Sequence, residues 1–271
     1  MKSPVKLHLK PFGINFANRA EIISSGRLIG TRVFSLLGNS IIPPICLACE
    51  THVAEQGSLC PKCWGDIRFI EKPYCAILGT PFSVDLGENV LSADAIANPP
   101  VFSRARAVAH YDGVARKLVQ GLKFSDRTDL APWMARWMVR AGRELLEDDP
   151  VIIGVPLHKR RMFLRRFNQS AELARHIATQ SNKAYVPRVL QRVRATKQQV
   201  GLKFNERQAN VRGAFRVPES QQINIIGKRV LLIDDVLTTG ATLSAASRAL
   251  LRGGAEIVDC LTFARVASNG N

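Results

Sequence analysis

The chain has 271 residues, 38 Lys+Arg against 22 Asp+Glu, a formal net charge of +16, and six cysteines. That length gives one or two domains with material for a buried core, and 46% hydrophobic beside 22% charged residues excludes disorder as the main state. No apolar run approaches the ~20 residues of a membrane-spanning helix, and the most apolar early stretch, residues 22–37, is cut by Arg27 and Arg32 and lacks a signal-peptide cleavage site. The expectation is a cytoplasmic protein, where thiols stay reduced and clustered cysteines point to metal.

The charge is unevenly spread. Residues 1–45 carry 6 bases and 1 acid, 46–150 carry 12 and 14, 151–216 carry 15 and 2, and 217–271 carry 5 and 5. An excess of this sign points to a polyanionic partner, whether nucleic acid, an anionic membrane face or phosphorylated small molecules. The segment 151–216 holds most of it and needs a local explanation.

In chain order, residues 1–42 read as a weakly structured extension, either a tail or a short amphipathic helix around 28–37. Pro43-Pro44 open a cysteine-rich block, 43–82, and residues 83–104 form a less structured linker with Asn98-Pro99-Pro100 as its breaker. From 105 to 267 strand and helix signals alternate. Strands are expected at 107–111, 151–155, 229–233 and 257–263, and helices at 114–123, 133–146, 168–177 and 240–251, before a tail at 268–271. Continuous apolar strands separated by helices give an α/β fold with a parallel sheet, buried on both faces. Ligands of such sheets bind at the carboxyl ends of the strands, which directs attention to the turns after Val155 and Ile233.

Two motifs carry chemistry. Cys46-x2-Cys49 is followed ten residues later by Cys60-x2-Cys63, and four thiolates so spaced make the closed tetrahedron of a structural Zn²⁺ site. Four core thiols or two disulfides are the alternatives. Cys75 and Cys260 stand alone, as a loop thiol and a core residue of the last strand.

The second motif is Val230-Leu231-Leu232-Ile233-Asp234-Asp235-Val236-Leu237-Thr238-Thr239-Gly240-Ala241-Thr242. Apolar residues bury a strand, two carboxylates emerge at its end, and a hydroxyl-rich loop enters a helix. Loop amides, the helix N-terminus and the hydroxyls of Thr239 and Thr242 suit a phosphate. Asp234 and Asp235 suit vicinal hydroxyls or a sugar-bound Mg²⁺. A capped helix after a strand with surface acids is the structural alternative.

This segment resembles the phosphoribosyl pyrophosphate (PRPP) signature of type I phosphoribosyltransferases, and the order of elements is similar to the ComF family, in which a cysteine knuckle domain precedes that fold. The resemblance runs over residues 44–263. It is carried by the cysteine block at 46–64, Tyr111-Asp112-Gly113 with Leu122-Lys123, and Val155-Pro156-Leu157-His158 with Arg161. Phe167-Asn168-Gln169, Arg192-x-Arg194-x-Thr196-x-x-Gln199, Glu206-Arg207-x-x-Asn210-Val211 with Ala214-Phe215, and the PRPP loop complete it. The fold it implies is a central parallel sheet flanked by helices, with a flexible hood, behind a four-cysteine zinc ribbon. It implies that Asp234 and Asp235 hold the ribose hydroxyls while Thr238, Thr239, Gly240, Ala241 and Thr242 cradle the 5′-phosphate. His158, Lys159 and Arg161 would face the pyrophosphate, with Arg161 beside Asp234 and Asp235 in catalysis. Arg192, Arg194, Thr196, Gln199, Arg207 and Asn210 would belong to the hood, closing over the ribosyl centre to exclude water.

Two departures stand out. Where the family often has a third CxxC before a glycine, Cys75 is followed by Leu78 in the partner position, which argues against a second metal. Arg166 replaces the glycine that usually precedes Phe-Asn-Gln. The resemblance implies a Mg²⁺-dependent phosphoribosyltransferase with an unknown acceptor, connected with competence, DNA uptake and the proteins of that machinery. The alternatives are a single-stranded DNA-binding protein, with Phe163, Phe167 and Phe204 as stacking residues, and a regulator that senses PRPP without turnover.

Overall fold

The computed structural model describes residues 43–124, 127–158, 167–194, 211 and 213–267. The N-terminal extension, Lys159, Arg161, Arg166, Thr196, Gln199, Arg207 and Asn210 lie outside the described residues. The chain runs through α1 (Pro61–Gly65), α2 (Ala93–Ala97), β1 (Ala105–His110), α3 (Gly113–Phe124), α4 (Ala131–Ala141), α5 (Arg143–Leu146), β2 (Val151–Gly154) and α6 (Gln169–Ser181). It continues with β3 (Gln191–Arg192), β4 (Phe215–Arg216), α7 (Glu219–Gln222), β5 (Arg229–Leu237), α8 (Ala241–Arg252) and β6 (Ile257–Arg265).

Apolar runs that bury both faces make β5 and β6 the centre of a parallel sheet ordered β1-β6-β5-β2. On one face Leu118 and Leu122 of α3, Met134 and Met138 of α4, and Leu173 and Ile177 of α6 pack against Leu231, Ile233, Leu261 and Phe263. On the other, Leu243, Ala246 and Leu250 of α8 cover Val230, Leu232, Val258 and Cys260. Each such large apolar side chain contributes about 1.5–3 kcal/mol on burial.

The structure redraws several expected elements. Gly142, a poor helix former, divides the expected helix at 133–146 into α4 and α5. Strand β5 does not end at Ile233: pairing continues through Asp234↔Thr262, Val236↔Ala264 and Leu237↔Arg265, because β6 is equally long. The acidic pair therefore sits inside the strand. Residues 83–104, expected as a less structured linker, contain α2, capped by the Ser92 side chain.

Both sheet edges are covered. Residues 68–70 run antiparallel to β1, with Ile70 N donating to Val108 O at 2.9 Å and His110 N to Arg68 O at 2.9 Å. Residues 184–186 flank β2, with Ile152 N donating to Ala184 O at 2.8 Å and Val186 N to Ile152 O at 3.1 Å. Covering removes the open donors and acceptors on which foreign strands pair. Trp64 and Phe69 meet Trp137 edge-on, and Trp137 stacks on Phe263 at 5.9 Å, so the cysteine-rich block is packed onto the sheet domain. Among the described residues no helix is long and apolar enough to cross a membrane.

Gly154 closes β2 directly against the start of α6. A Cβ added there would lie 2.7 Å from Ser170 O and 2.9 Å from Ala171 Cα, both of them backbone atoms. Gly154→Ala is expected to cost about 1–3 kcal/mol in urea unfolding. An unchanged midpoint would show that α6 moves away freely.

Candidate functional site

The site begins at the carboxyl end of β5. Asp235 is buried, and Lys123, in the last turn of α3, reaches its Oδ2 at 2.8 Å. Asp234 Oδ1 accepts hydrogen bonds from Ser170 Oγ at 2.8 Å and from Asp235 N at 2.9 Å. Burial and then the neighbouring Asp235 push the Asp234 carboxyl up to about 7, against the opposing pull of the Ser170 hydroxyl and Lys123.

The three residues after Phe167 hold this arrangement together. Asn168 caps α6, accepting from Ser170 N at 3.2 Å while its Nδ2 donates to Val155 O at 3.1 Å, and so fixes the strand-to-helix connection at both ends. Gln169, 1% exposed, donates from Nε2 to Lys123 O at 3.3 Å, tying the end of α3 to the start of α6. The sequence motifs assign no role to Lys123, Gln169 or Ser170; the stretches Leu122-Lys123 and Phe167-Asn168-Gln169 are the signal available for the first two.

After Leu237 the chain passes Thr238 and Thr239 to Gly240, which takes a left-handed conformation (φ 73°) and precedes α8. No side chain caps this helix. Its first N–H groups and the positive end of its dipole therefore face outward, as an anion site requires. The buried Thr239 Oγ1 has no hydrogen-bond partner among the described residues. A partnerless buried hydroxyl beside an uncapped helix suits a phosphate oxygen, and the adjacent carboxylates suit sugar hydroxyls and Mg²⁺. Thr238 is exposed, Ala241 is buried and Thr242 lies in the first turn of α8. His158 stands at the end of the described segment after β2. Arg192 pairs with Phe215 in the β3–β4 ribbon and lies over its ring at 5.4 Å, with Arg194 two residues on.

The cysteine cluster forms a second centre. The Sγ atoms of Cys46, Cys49, Cys60 and Cys63 all lie within 4.8 Å of one another, with Cys49 and Cys60 at 3.6 Å. A tetrahedron of Zn–S bonds of about 2.3 Å has edges of about 3.8 Å. Cys60 N donates to Cys46 Sγ at 3.2 Å and Cys63 N to Cys60 Sγ at 3.4 Å. Burial and then the neighbouring cysteines hold the Cys63 thiol above the usual range, a penalty that a dication at the centre removes. These four residues fit a structural Zn²⁺, with all positions taken by protein.

Fold and cysteine centre together define a phosphoribosyltransferase-fold protein carrying a zinc ribbon. Family models agree: residues 37–96 match the double zinc ribbon domain and 168–270 the phosphoribosyl transferase domain. DNA utilization protein YhgH of Salmonella typhimurium is 30% identical over 226 residues, which are 82% of this chain and 90% of that one. Competence protein F of Haemophilus influenzae is 28% identical (81% and 96% covered), and competence protein ComFC of Bacillus subtilis 23% (84% and 98%). The chain belongs to the ComF family.

If zinc organises the ribbon, removing it with a strong chelator is expected to lower the melting temperature by on the order of 10 °C, and Cys63→Ser to do the same without chelator. A melting temperature indifferent to chelation would contradict a structural role.

Proposed function

We propose that this protein binds PRPP with Mg²⁺ at the end of β5 and transfers the phosphoribosyl group to a nucleophile with release of pyrophosphate. The observation that carries the reading is the pairing of Asp234 and the buried Asp235, near the carboxyl end of β5, with an uncapped helix and a partnerless Thr239 hydroxyl. In this reading Asp234 and Asp235 accept hydrogen bonds from the ribose 2′- and 3′-hydroxyls, and residues 238–242 receive the 5′-phosphate. Bound Mg²⁺ would offset charge on the pyrophosphate. The bond from C1′ to the pyrophosphate oxygen breaks, its electron pair leaves with the pyrophosphate, and the nucleophile bonds to C1′. The ribosyl centre passes through cationic character, so the protein acts by positioning and electrostatics. Lys123 has a defined part, fixing the Asp235 carboxylate by an ion pair at 2.8 Å. By family resemblance, His158, Lys159 and Arg161 serve the leaving group, and the hood residues Arg192, Arg194, Thr196, Gln199, Arg207 and Asn210 shield the centre from water.

The names of the relatives, DNA utilization protein and competence protein, support a part for this activity in DNA uptake or use. A second reading, single-stranded DNA binding, rests on the 15 bases against 2 acids in residues 151–216, more than one PRPP requires. It is compatible with the first, and an affinity that falls steeply with salt would identify it.

Isothermal titration of zinc-loaded protein with PRPP and Mg²⁺ tests the main reading. Saturable binding is expected, weakened roughly a hundredfold or more by Asp234→Ala/Asp235→Ala with the fold retained. Absence of binding by the folded wild type would refute both the transferase and a PRPP sensor. The affinity should also depend on pH. Asp234 in the free protein is half protonated near pH 7, and the ligand needs the ionised form as acceptor or metal ligand. Affinity therefore rises from about pH 6 to about pH 8, and a flat profile would mean Asp234 is already ionised.

A further inference from the structure

The turn that begins at Cys46 occurs a second time, at Cys75. In the first, Cys46 N donates to Thr51 O at 2.7 Å, Glu50 N to Cys46 O at 3.0 Å, and Ile45 bridges His52. In the second, Cys75 N donates to Thr80 O at 2.8 Å, Gly79 N to Cys75 O at 2.8 Å, and Tyr74 bridges Pro81. Both turns put a left-handed residue at the same step, Glu50 at φ 63° and Gly79 at φ 61°. Gly79 is also held by space, since a Cβ there would lie 2.4 Å from Ala105 O.

The second limbs match as well. Leu47 N donates to Ser58 O at 3.2 Å, and Ala76 N donates to Val90 O at 2.9 Å. Cys60 N donates to Cys46 Sγ at 3.2 Å, and Ser92 N donates to Cys75 Sγ at 3.3 Å. Cys60 caps the short helix α1, accepting from Cys63 N, and Ser92 caps the short helix α2, accepting from Ala95 N at 3.3 Å. Register thus equates Cys75 with Cys46, Leu78 with Cys49, Ser92 with Cys60 and Ala95 with Cys63. One ligand position of four survives.

What stands in for the metal is visible. Cys75 is fully buried, and its sulfur accepts from Leu78 N at 3.4 Å and Ser92 N at 3.3 Å. Burial pushes its thiol up, but the Ser92 and Leu78 hydrogen bonds outweigh this and leave it below the usual range. Arg265, 5% exposed at the end of β6, donates from Nη1 to Leu78 O at 2.5 Å. No carboxylate among the described residues forms an ion pair with Arg265; burial pulls its guanidinium below the usual range, against the opposing charges of Cys75 and Asp94.

We infer that the second ribbon lobe is a former metal site that no longer binds metal: Leu78, Ser92 and Ala95 stand where three thiolate ligands would, and the buried Arg265 guanidinium holds the lobe where a zinc ion holds the first. Arg265 lies opposite Leu237, the residue that enters the 238–242 loop, so the exchange anchors the second lobe to the sheet end that carries the candidate site.

Metal analysis of the full-length protein tests this. Wild type is expected to hold one zinc per chain, and Leu78→Cys/Ser92→Cys/Ala95→Cys two, with cobalt(II) substitution doubling the thiolate-to-metal absorption. Two zinc ions in wild type overturn the inference whether or not the variant folds; so does a folded triple variant that still holds one. Arg265→Met gives an independent reading. It should lower the melting temperature of the otherwise native chain, and lower it less in the zinc-loaded triple variant. Equal losses in both backgrounds would show that the guanidinium does not do the metal's work.

Discussion

Two adjacent carboxylates, one buried and one half-buried, near the carboxyl end of a central parallel strand are the constraint around which this structure is arranged. An ionised carboxylate taken out of water without a partner costs several kcal/mol, so each must find compensation locally. Asp235 finds it in Lys123 at 2.8 Å and Asp234 in the Ser170 hydroxyl at 2.8 Å. These partners come from opposite ends of two helices far apart in sequence. The end of α3 and the start of α6 must therefore meet at one point on the sheet. Gln169 fastens that meeting point, Asn168 fixes the connection from β2, and Gly154 leaves room for the close approach.

The same balance of buried charge recurs in the cysteine-rich block. Four sulfurs gathered within 4.8 Å repel one another when ionised and call for a cation at their centre. In the related lobe around Cys75 a single sulfur remains, and backbone N–H groups with a guanidinium from β6 suffice. Both lobes lie against the sheet domain, and residues 68–70 between them cover the β1 edge. The described residues from Ile45 onward accordingly form one compact unit, in which the ribbon lines an edge that would otherwise be open to other strands.

What can be read in the sequence follows from range. The runs at 151–155 and 257–263 announce buried strands because apolar residues fill both faces, Asp259 and Thr262 being the polar positions that interrupt the second. Helix α3 is legible from Leu118, Val119 and Leu122. The end of β5 is not, since Asp234 and Asp235 look like a loop until the pairing with Thr262 and Ala264 is known. Helices α1, α2 and α7 span only four or five residues, too few for a helical period. Within the site, the motif identifies the carboxylates and the threonine loop, whereas Lys123 and Ser170 act through contacts with residues more than 60 positions away. The first four-cysteine centre is legible from spacing alone. The second lobe is not, because its likeness to the first lies in backbone hydrogen bonds, and only Cys75 retains the side chain that would signal it.

A crystal structure of the protein with PRPP and Mg²⁺ tests the central claim most directly. The account predicts ribose hydroxyls on Asp234 and Asp235 and the 5′-phosphate against Thr239 and the first N–H groups of α8. PRPP bound elsewhere, or a strand end still closed by Lys123 and Ser170 with the sugar out of reach, would contradict it.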